Sequence, residues 1–269
     1  MTVDLPLVAD GYSDDLRLAH VLADAADDIT SKRFKAIDLR IETKPDLTPV
    51  SDADRAVEDQ IRGTLKRARP RDAVIGEEYG KSGYSQRCWV IDPIDATKNF
   101  VRGVPIWATL IALMEDDDVV VGLVSAPALQ RRWWAAKGGG AWTGRSLTKA
   151  SRMKVSEVTT LSDASFSYSS LHGWEECNRL GGFMEVSRSV WRTRAYGDFW
   201  SHMMVAEGAV DISAEPEVNL WDLAALQVIV QEAGGAFTDL SGVATPDGGN
   251  VLCTNGHLHD EVLAMLAQS

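Results

Sequence analysis

Two aspartates separated by a short turn sequence carry the clearest chemical signal in this chain. Asp92 and Asp95 lie on either side of Pro93, directly after an apolar run. Because a helix does not readily continue through proline, the segment is predicted to be a turn at the carboxyl end of a strand. Ligand crevices of α/β proteins lie at such ends. The turn can direct both carboxylates and the carbonyl oxygen of Ile94 toward one point, which is the oxygen-rich environment that magnesium prefers.

The residues around this turn extend the signal. Thr97 follows at the predicted start of a short helix, where free backbone N–H groups can hold a phosphate. Glu77 and Glu78 end the preceding predicted strand and add two acids to the same edge. A buried carboxylate beside Asp92 would be costly unless a cation neutralised the cluster. Taken singly, these residues have ordinary explanations as turn formers, helix caps or solvated loop residues. As a set, they predict a metal site.

Two more acids open predicted helices. Asp54 follows Val50-Ser51 at the start of a predicted helix, and Asp222 follows Trp221 at the start of another. Aspartate in such a position is by default a helix cap. Each residue alone is therefore weak evidence for a catalytic site.

Alternating strand and helix patterns predict the elements that position these acids, and they imply a layered α/β architecture. We divide the chain into an N-terminal α+β half, residues 1–150, with most metal ligands, and a C-terminal α/β half, residues 151–269, with Asp222 and the substrate-selecting residues. The predicted helices are 14–33, 52–67, 173–184, 198–207, 222–233 and a last one from 257. The main predicted strands are 37–43, 72–78, 87–95, the hairpin of 107–117 with 119–129, 160–167, 188–195 and 209–215.

Composition narrows the class of protein. The 269 residues carry a formal net charge of -12, which argues against a nucleic-acid partner because such proteins usually present a basic face. An acidic protein also repels an anionic substrate, unless several of its acids hold divalent cations that invert the local field. The three cysteines are odd in number and lack metal-ligand spacing, which is typical of a reducing compartment.

The sequence shows no targeting or membrane signal. The first residues lack the basic region of a secretory signal. No apolar run approaches the ~20 residues that cross a membrane. We therefore expect a cytoplasmic protein with no membrane partner.

The chain resembles the inositol monophosphatase family of magnesium-dependent, lithium-sensitive phosphatases. The resemblance covers nearly the whole chain and implies an αβαβα sandwich, usually a homodimer. One departure is Ala96, where the family usually has glycine; phosphate binding there requires Ala96 to adopt the glycine's backbone conformation. The matching motifs are Gly76-Glu77-Glu78, the run from Asp92 to Phe100, Trp221-Asp222 followed by Glu232-Ala233-Gly234-Gly235, and Val50-Ser51 with Asp54.

The resemblance also implies roles for individual residues. Thr97 and Asp54 would orient the water that attacks phosphorus, and Glu77 would contact that water through a metal. Ala96 and Thr97 would bind the phosphate. Two or three magnesium ions are implied, with manganese as a substitute and lithium as an inhibitor. Their ligands would be Glu77, Asp92, the carbonyl of Ile94, Asp95 and Asp222.

The segment from Arg194 to Trp200 bears on the substrate. Its Gly-Asp followed by an aromatic residue resembles the histidinol-phosphatase branch of the family, whereas true inositol monophosphatases have a small neutral residue or threonine after the glycine. Asp198 and Glu215 would suit a substrate with a cationic amine, and we assign Arg194 to substrate binding with them. The alternative is that Asp198 simply caps helix 198–207.

Other functions stay open at this point. Within the family, the substrate could be inositol phosphate, fructose bisphosphate or a nucleotide 3'-phosphate. Outside catalysis, the chain could be a silent metal-binding regulatory protein or a lectin-like polyol-binding module. The intact acids and Thr97 argue against a silent protein. The expected partner is a small phosphate monoester.

Overall fold

The structure is a computed structural model that describes residues 11–45 and 47–267. Within these residues the helices are α1 (Ser13–Arg33), α2 (Asp52–Ala68), α3 (Thr97–Arg102), α4 (Leu171–Glu176), α5 (Leu180–Ser189), α6 (Asp198–Ala206), α7 (Leu220–Glu232) and α8 (His259–Leu266). The strands are β1 (Ile41–Thr43), β2 (Pro49–Ser51), β3 (Ala73–Gly76), β4 (Gly80–Ser82), β5 (Arg87–Asp95), β6 (Ala108–Glu115), β7 (Asp118–Ala126), β8 (Arg131–Ala136), β9 (Ala141–Ser146), β10 (Lys149–Arg152), β11 (Ser165–Ser167), β12 (Arg192–Arg194), β13 (Ile212–Glu215), β14 (Ala236–Thr238) and β15 (Val251–Thr254).

The strands form two large sheets and one small one. The first sheet has eight strands in the order β10-β9-β8-β7-β6-β5-β3-β4. Its pairs are antiparallel except β3 with β5, which run parallel and so end at the same edge. The second sheet has five strands in the order β12-β11-β13-β15-β14, of which β12, β11 and β13 are parallel. Strands β1 and β2 form a separate antiparallel pair.

Three buried clusters show how helices and sheets are layered. The cluster that includes Leu16 of α1 and Ile61 of α2 covers one face of the eight-stranded sheet. A second cluster places α6 and α7 against the other face of that sheet, through Leu110, and against the five-stranded sheet, through Val251. A third places α4, α5 and α8 on the far face of the five-stranded sheet, around Phe166. The layers are therefore αβαβα, and the expected fold is confirmed.

The central position of α7 explains its sequence. Every residue from Leu223 to Val230 is buried, because a helix between two sheets has no solvent face. Strand β7 crosses this helix at Gly122, where a Cβ would lie 2.4 Å from the carbonyl oxygen of Ala225. Glycine is required there because the two backbones approach so closely.

Some predicted elements were wrong in extent. The predicted strand 37–43 is reduced to β1, and Ile37 is fully exposed, so its alternating pattern has no core to face. The predicted helix 173–184 is two helices, α4 and α5, separated at Asn178, whose φ of 54° lies in the left-handed region. The eight-stranded sheet continues through β10 to Arg152, so the predicted division at residue 150 falls inside that strand. The division into halves stays a prediction.

Candidate active site

A cavity of about 850 Å³ opens where several elements end or begin. The carboxyl ends of β3 and β5 meet there because the two strands are parallel neighbours. The starts of α3, α6 and α7 point to the same space. Most of the residues predicted from the sequence line this cavity: Glu77, Asp92, Ile94, Asp95, Ala96, Thr97, Asp198, Glu215 and Asp222.

Three aspartates from two remote segments converge in the cavity. Carboxylate oxygens of Asp92, Asp95 and Asp222 lie within 4.8 Å of one another. Asp92 is only 2% exposed, and its Oδ1 is buried with no hydrogen-bond partner among the described residues. A buried, unpartnered carboxylate oxygen beside other acids is unfavourable. The same arrangement is a suitable set of oxygen ligands for a divalent cation.

Burial and repulsion between the neighbouring carboxylates raise the pKa values of these aspartates. Burial, then the nearby charges of Glu77 and Asp95, raise the pKa of Asp92 well above its usual range. Burial, then Asp198 and Asp222, raise the pKa of Asp95 in the same way. Burial raises the pKa of Asp222 to about 6. A divalent cation would stabilise the ionised carboxylates and so lower these pKa values.

Two acids of the site occupy the same position in their helices. Asp54 in α2 and Asp222 in α7 are each the third residue of the helix and the last residue of a capping box, and each accepts a hydrogen bond at Oδ2. The donors are the backbone N–H of Ser51, at 2.7 Å, and that of Asn219, also at 2.7 Å. The default expectation that they are N-caps is therefore wrong, because Ser51 and Asn219 hold that position. The helix start orients each carboxylate and leaves its second oxygen available.

Asp54 lies behind the predicted water-orienting threonine. The hydroxyl of Thr97 donates to the carbonyl oxygen of Ile94 at 2.9 Å, and it lies 3.5 Å from Oδ1 of Asp54. Asp54 is fully buried, and burial raises its pKa to about 6. The start of α2, after β2, and the start of α3, after β5, thus bring together Asp54 and Thr97, the two residues predicted to act as a pair.

Ala96 meets the condition set by the sequence. Its φ of 64° and ψ of 44° are left-handed, the conformation that glycine adopts at no steric cost. For alanine this conformation costs roughly 1–2 kcal/mol. The turn between β5 and α3 is therefore kept despite the substitution of alanine for the glycine usual in the family.

Lys44 is a residue of the site that the sequence reasoning missed. Its Nζ lies 2.7 Å from Oε1 of Glu77 and 2.6 Å from Oε1 of Glu78. Although burial lowers the pKa of Lys44, its hydrogen bonds to the two glutamates raise it above the usual value overall. Lys44 lies between β1 and β2, and only their pairing brings it to the cavity, so no local signal marks it.

The C-terminal half contributes two further carboxylates to the cavity. Asp198 is the first residue of α6 and follows Gly197, which is the N-cap; the alternative that Asp198 is the cap is wrong. Glu215 ends β13 and is 6% exposed. The hydroxyl of Ser169 connects them, since it donates to Glu215 Oε1 at 2.6 Å and accepts from the backbone N–H of Asp198 at 2.8 Å. Burial raises the pKa of Glu215 to about 8. Burial also raises the pKa of Asp198, although the nearby charge of Lys98 acts to lower it.

Arg194 is the exception among the predicted substrate-binding residues. Arg194 is exposed at the end of β12, its guanidinium donates to the carbonyl of Thr193, and it is not among the described residues that line the cavity. Its assignment stays a prediction.

His202 of α6 lines the cavity, with Nδ1 3.2 Å from Sγ of Cys253, and burial lowers its pKa to about 4. Its sequence spacing gave no sign of this position.

The layered fold and a cluster of three aspartates that could hold a metal ion are features of a metal-dependent phosphatase, and comparison with known proteins identifies the family. A profile of the inositol monophosphatase family matches residues 13–269. Similar curated proteins include the histidinol-phosphatase of Streptomyces coelicolor, 67% identical over 96% of this chain and 98% of the relative, and that of Mycobacterium tuberculosis, 60% identical over 94% and 98%. A similar solved structure is the extragenic suppressor protein suhB from Bartonella henselae, with a TM-score of 0.87 and 27% identity over 96% of this chain and 100% of the other. The chain belongs to the inositol monophosphatase family.

The membrane prediction has a structural counterpart. Among the residues that the structure describes, none of the helices combines the length and apolarity needed to span a bilayer.

Proposed function

We propose that this chain is a magnesium-dependent phosphomonoesterase that hydrolyses histidinol phosphate to histidinol and inorganic phosphate. The observation that carries the proposal is one cavity that holds both an acidic cluster suited to metals and two further carboxylates, the half-buried Asp198 and the buried Glu215. The near-full-length similarity to two histidinol-phosphatases supports the same substrate.

The residues of the cluster fit magnesium. The unpartnered Oδ1 of Asp92 and the raised pKa values of Asp92, Asp95 and Asp222 support a cation at this site. Glu77 and the carbonyl of Ile94 would complete the ligand set. When bound, magnesium acidifies water and neutralises phosphoryl oxygens. The use of two or three ions, substitution by manganese and inhibition by lithium stay predictions from the family.

The chain's own residues would orient the attack. Because the proton of the Thr97 hydroxyl is donated to Ile94, its lone pairs remain to accept a hydrogen bond from water. Oδ1 of the buried Asp54, 3.5 Å from the same hydroxyl, is the other acceptor available to that proton, so with either acceptor the lone pairs of Thr97 remain for the water. The water oxygen would form the new bond to phosphorus as the ester P–O bond breaks. One proton of that water stays on the phosphate product, and the other goes to the leaving alkoxide, which becomes the alcohol. No protein nucleophile is needed.

The other end of the substrate would be recognised by charge. Histidinol phosphate carries an ammonium group, and its imidazole is partly protonated near neutral pH. Asp198 and Glu215 would pair with this cationic end while the metal cluster holds the phosphate. Burial raises the pKa of Glu215 to about 8, and a bound cation would favour its ionised form.

A phosphate-release panel tests the proposal. Histidinol phosphate, inositol 1-phosphate, fructose 1,6-bisphosphate and a nucleotide 3'-phosphate are compared with magnesium and with chelator. We expect histidinol phosphate to give the highest kcat/KM and chelator to abolish release. Faster release from inositol phosphate would overturn the substrate, and binding without release would favour a regulatory or polyol-binding protein.

Two predictions about the protein as a whole accompany this proposal. The family resemblance implies a homodimer, which light scattering of the purified protein would test. A cytoplasmic location is expected from the sequence, and cell fractionation would test it.

A further inference from the structure

Glu58 is a fully buried carboxylate outside the cavity that is not used by the mechanism above. It lies on α2, one helical turn after Asp54, and its side chain is 0% exposed. Oε2 accepts the backbone N–H of Glu78 at 2.8 Å, and Oε1 accepts that of Tyr79 at 3.2 Å. Glu58 therefore binds the loop that follows β3, where Glu77 is presented to the cavity.

Two neighbours reinforce this contact. A Cβ on Gly76 would lie 2.0 Å from Oε1 of Glu58, so only glycine allows β3 to end directly on the carboxylate. Arg62, one turn further along α2, donates to Oε1 of Glu58 at 2.7 Å and also to Gly80 and Ser82 on the far side of the loop. Glu58 and Arg62 thus hold both sides of the loop formed by residues 77–79.

The other side of Glu77 is held by the sheet. The backbone N–H of Glu77 donates to the carbonyl oxygen of Ile91 in β5 at 3.2 Å. Residue 77 is consequently fixed between β5 and the carboxylate of Glu58. Since a misplaced ligand weakens a metal site even when its chemistry is unchanged, the bonds that orient a ligand contribute to affinity.

The geometry points to Glu58 as a positioning residue for the metal site: its carboxylate holds the backbone of Glu78 and Tyr79, directly after Glu77, and so aims the Glu77 side chain at the cation. This inference rests on the proposed metal-binding role of Glu77. It assigns to α2 two separate tasks, since Asp54 faces Thr97 and Glu58 sets the position of Glu77.

The test is a double-mutant cycle read by calorimetric titration of the metal-free protein with magnesium. Glu58→Gln keeps the side-chain volume but loses the charge and one acceptor, and it should weaken magnesium binding about 10- to 100-fold. In a Glu77→Gln background the same change should alter affinity less than about twofold, because a residue that acts through Glu77 has nothing left to position. Turnover at saturating magnesium should fall only a few-fold.

Asp211→Asn is the matched control. Asp211 is also a buried carboxylate that accepts a backbone N–H, that of Ser165 at 2.6 Å, but it does not line the cavity. The Asp211→Asn substitution should lower Tm without changing magnesium affinity. If Glu58→Gln does not fold, Glu58→Asp, which keeps the charge but withdraws it by one methylene, takes its place with the same expected loss.

Two results would overturn the inference, and they are distinguishable. If Glu77→Gln weakens magnesium binding but Glu58→Gln lowers only Tm, as Asp211→Asn does, Glu58 is merely structural. If Glu77→Gln itself leaves magnesium affinity unchanged, Glu77 is not a ligand and the role of Glu58 falls with it, whereas loss of magnesium binding in Asp95→Asn or Asp222→Asn would still support the metal site.

Discussion

The backbone N–H of Phe199 donates to Oδ2 of Asp95 across 3.0 Å. This bond joins the end of β5, which belongs to the eight-stranded sheet, to the start of α6 from the second half of the chain. The residue before Phe199 is Asp198. The backbone that carries the predicted substrate-selecting side chain of Asp198 is therefore hydrogen-bonded to Asp95, a predicted metal ligand. Tests of Asp198 must therefore alter its side chain and leave that backbone in place.

Asp198→Asn meets this requirement and tests substrate recognition. A charge-assisted hydrogen bond contributes about 1.5–3 kcal/mol, so kcat/KM on histidinol phosphate should fall roughly 10- to 150-fold. A neutral ester such as inositol phosphate should be hydrolysed as before. Glu217→Gln is the control, since Glu217 is an exposed acid that lines the same cavity. Equal losses on both substrates would make Asp198 a structural residue.

Asp95→Asn and Asp222→Asn test the metal ligands. Each removes one negative charge from the cluster and should lower turnover by at least ~10- to 100-fold at moderate magnesium. Both variants should fold. In Asp222→Asn the amide oxygen can still accept from the N–H of Asn219, and in both the repulsion among acids is reduced. Near-normal turnover of either variant would remove that residue from the ligand set.

Thr97→Ala separates water positioning from metal binding. The hydroxyl is predicted to orient water and does not hold a metal, so kcat should fall roughly 100- to 10,000-fold while magnesium affinity stays nearly unchanged. Thr97→Ser, which keeps the hydroxyl, should retain most of the rate. A variant that lost magnesium affinity but kept its rate at saturating metal would reverse the assigned role.

The raised pKa of Glu215 has a measurable effect on stability. Burial raises it from 4.5 to about 8, so the folded chain holds this proton more tightly than the unfolded chain. The associated stabilisation is complete below about pH 4 and is lost as pH rises through about 8. Glu215→Gln cannot titrate, so in chelator its free energy of unfolding should gain on that of the wild type between about pH 5 and pH 8. Urea unfolding at several pH values measures this; a constant difference would contradict the shift.

The part of the site that a local pattern could indicate without the family resemblance is encoded within one short segment. Asp92, Ile94 and Asp95 lie on a single strand end, and the proline between the aspartates indicates the turn. Ser169 and Lys44 come to the cavity only through the pairing of short strands, β11 with β13 and β1 with β2. Such pairings depend on contacts remote in sequence, so local patterns could not indicate them.

The same reasoning explains which elements were predicted well. Helices α1, α2 and α7 carry long apolar patterns because they pack on sheets along their whole length. The pattern that predicted one helix over 173–184 did not register the left-handed backbone at Asn178, which a residue with a short polar side chain tolerates. Strand β1 is exposed throughout, and its position is fixed by hydrogen bonds to β2 that hydrophobic periodicity does not report.

The central helix layer has a consequence for how the molecule denatures. Helices α6 and α7 bury one side against Leu110 and its neighbours and the other against Val251 and its neighbours, so the largest apolar cluster belongs to both sheets at once. If one sheet unfolded, the apolar residues of α6 and α7 that pack on it would become exposed to solvent. We therefore expect that neither sheet stays folded without the other and that heating produces one cooperative transition, with a calorimetric enthalpy equal to the van't Hoff enthalpy.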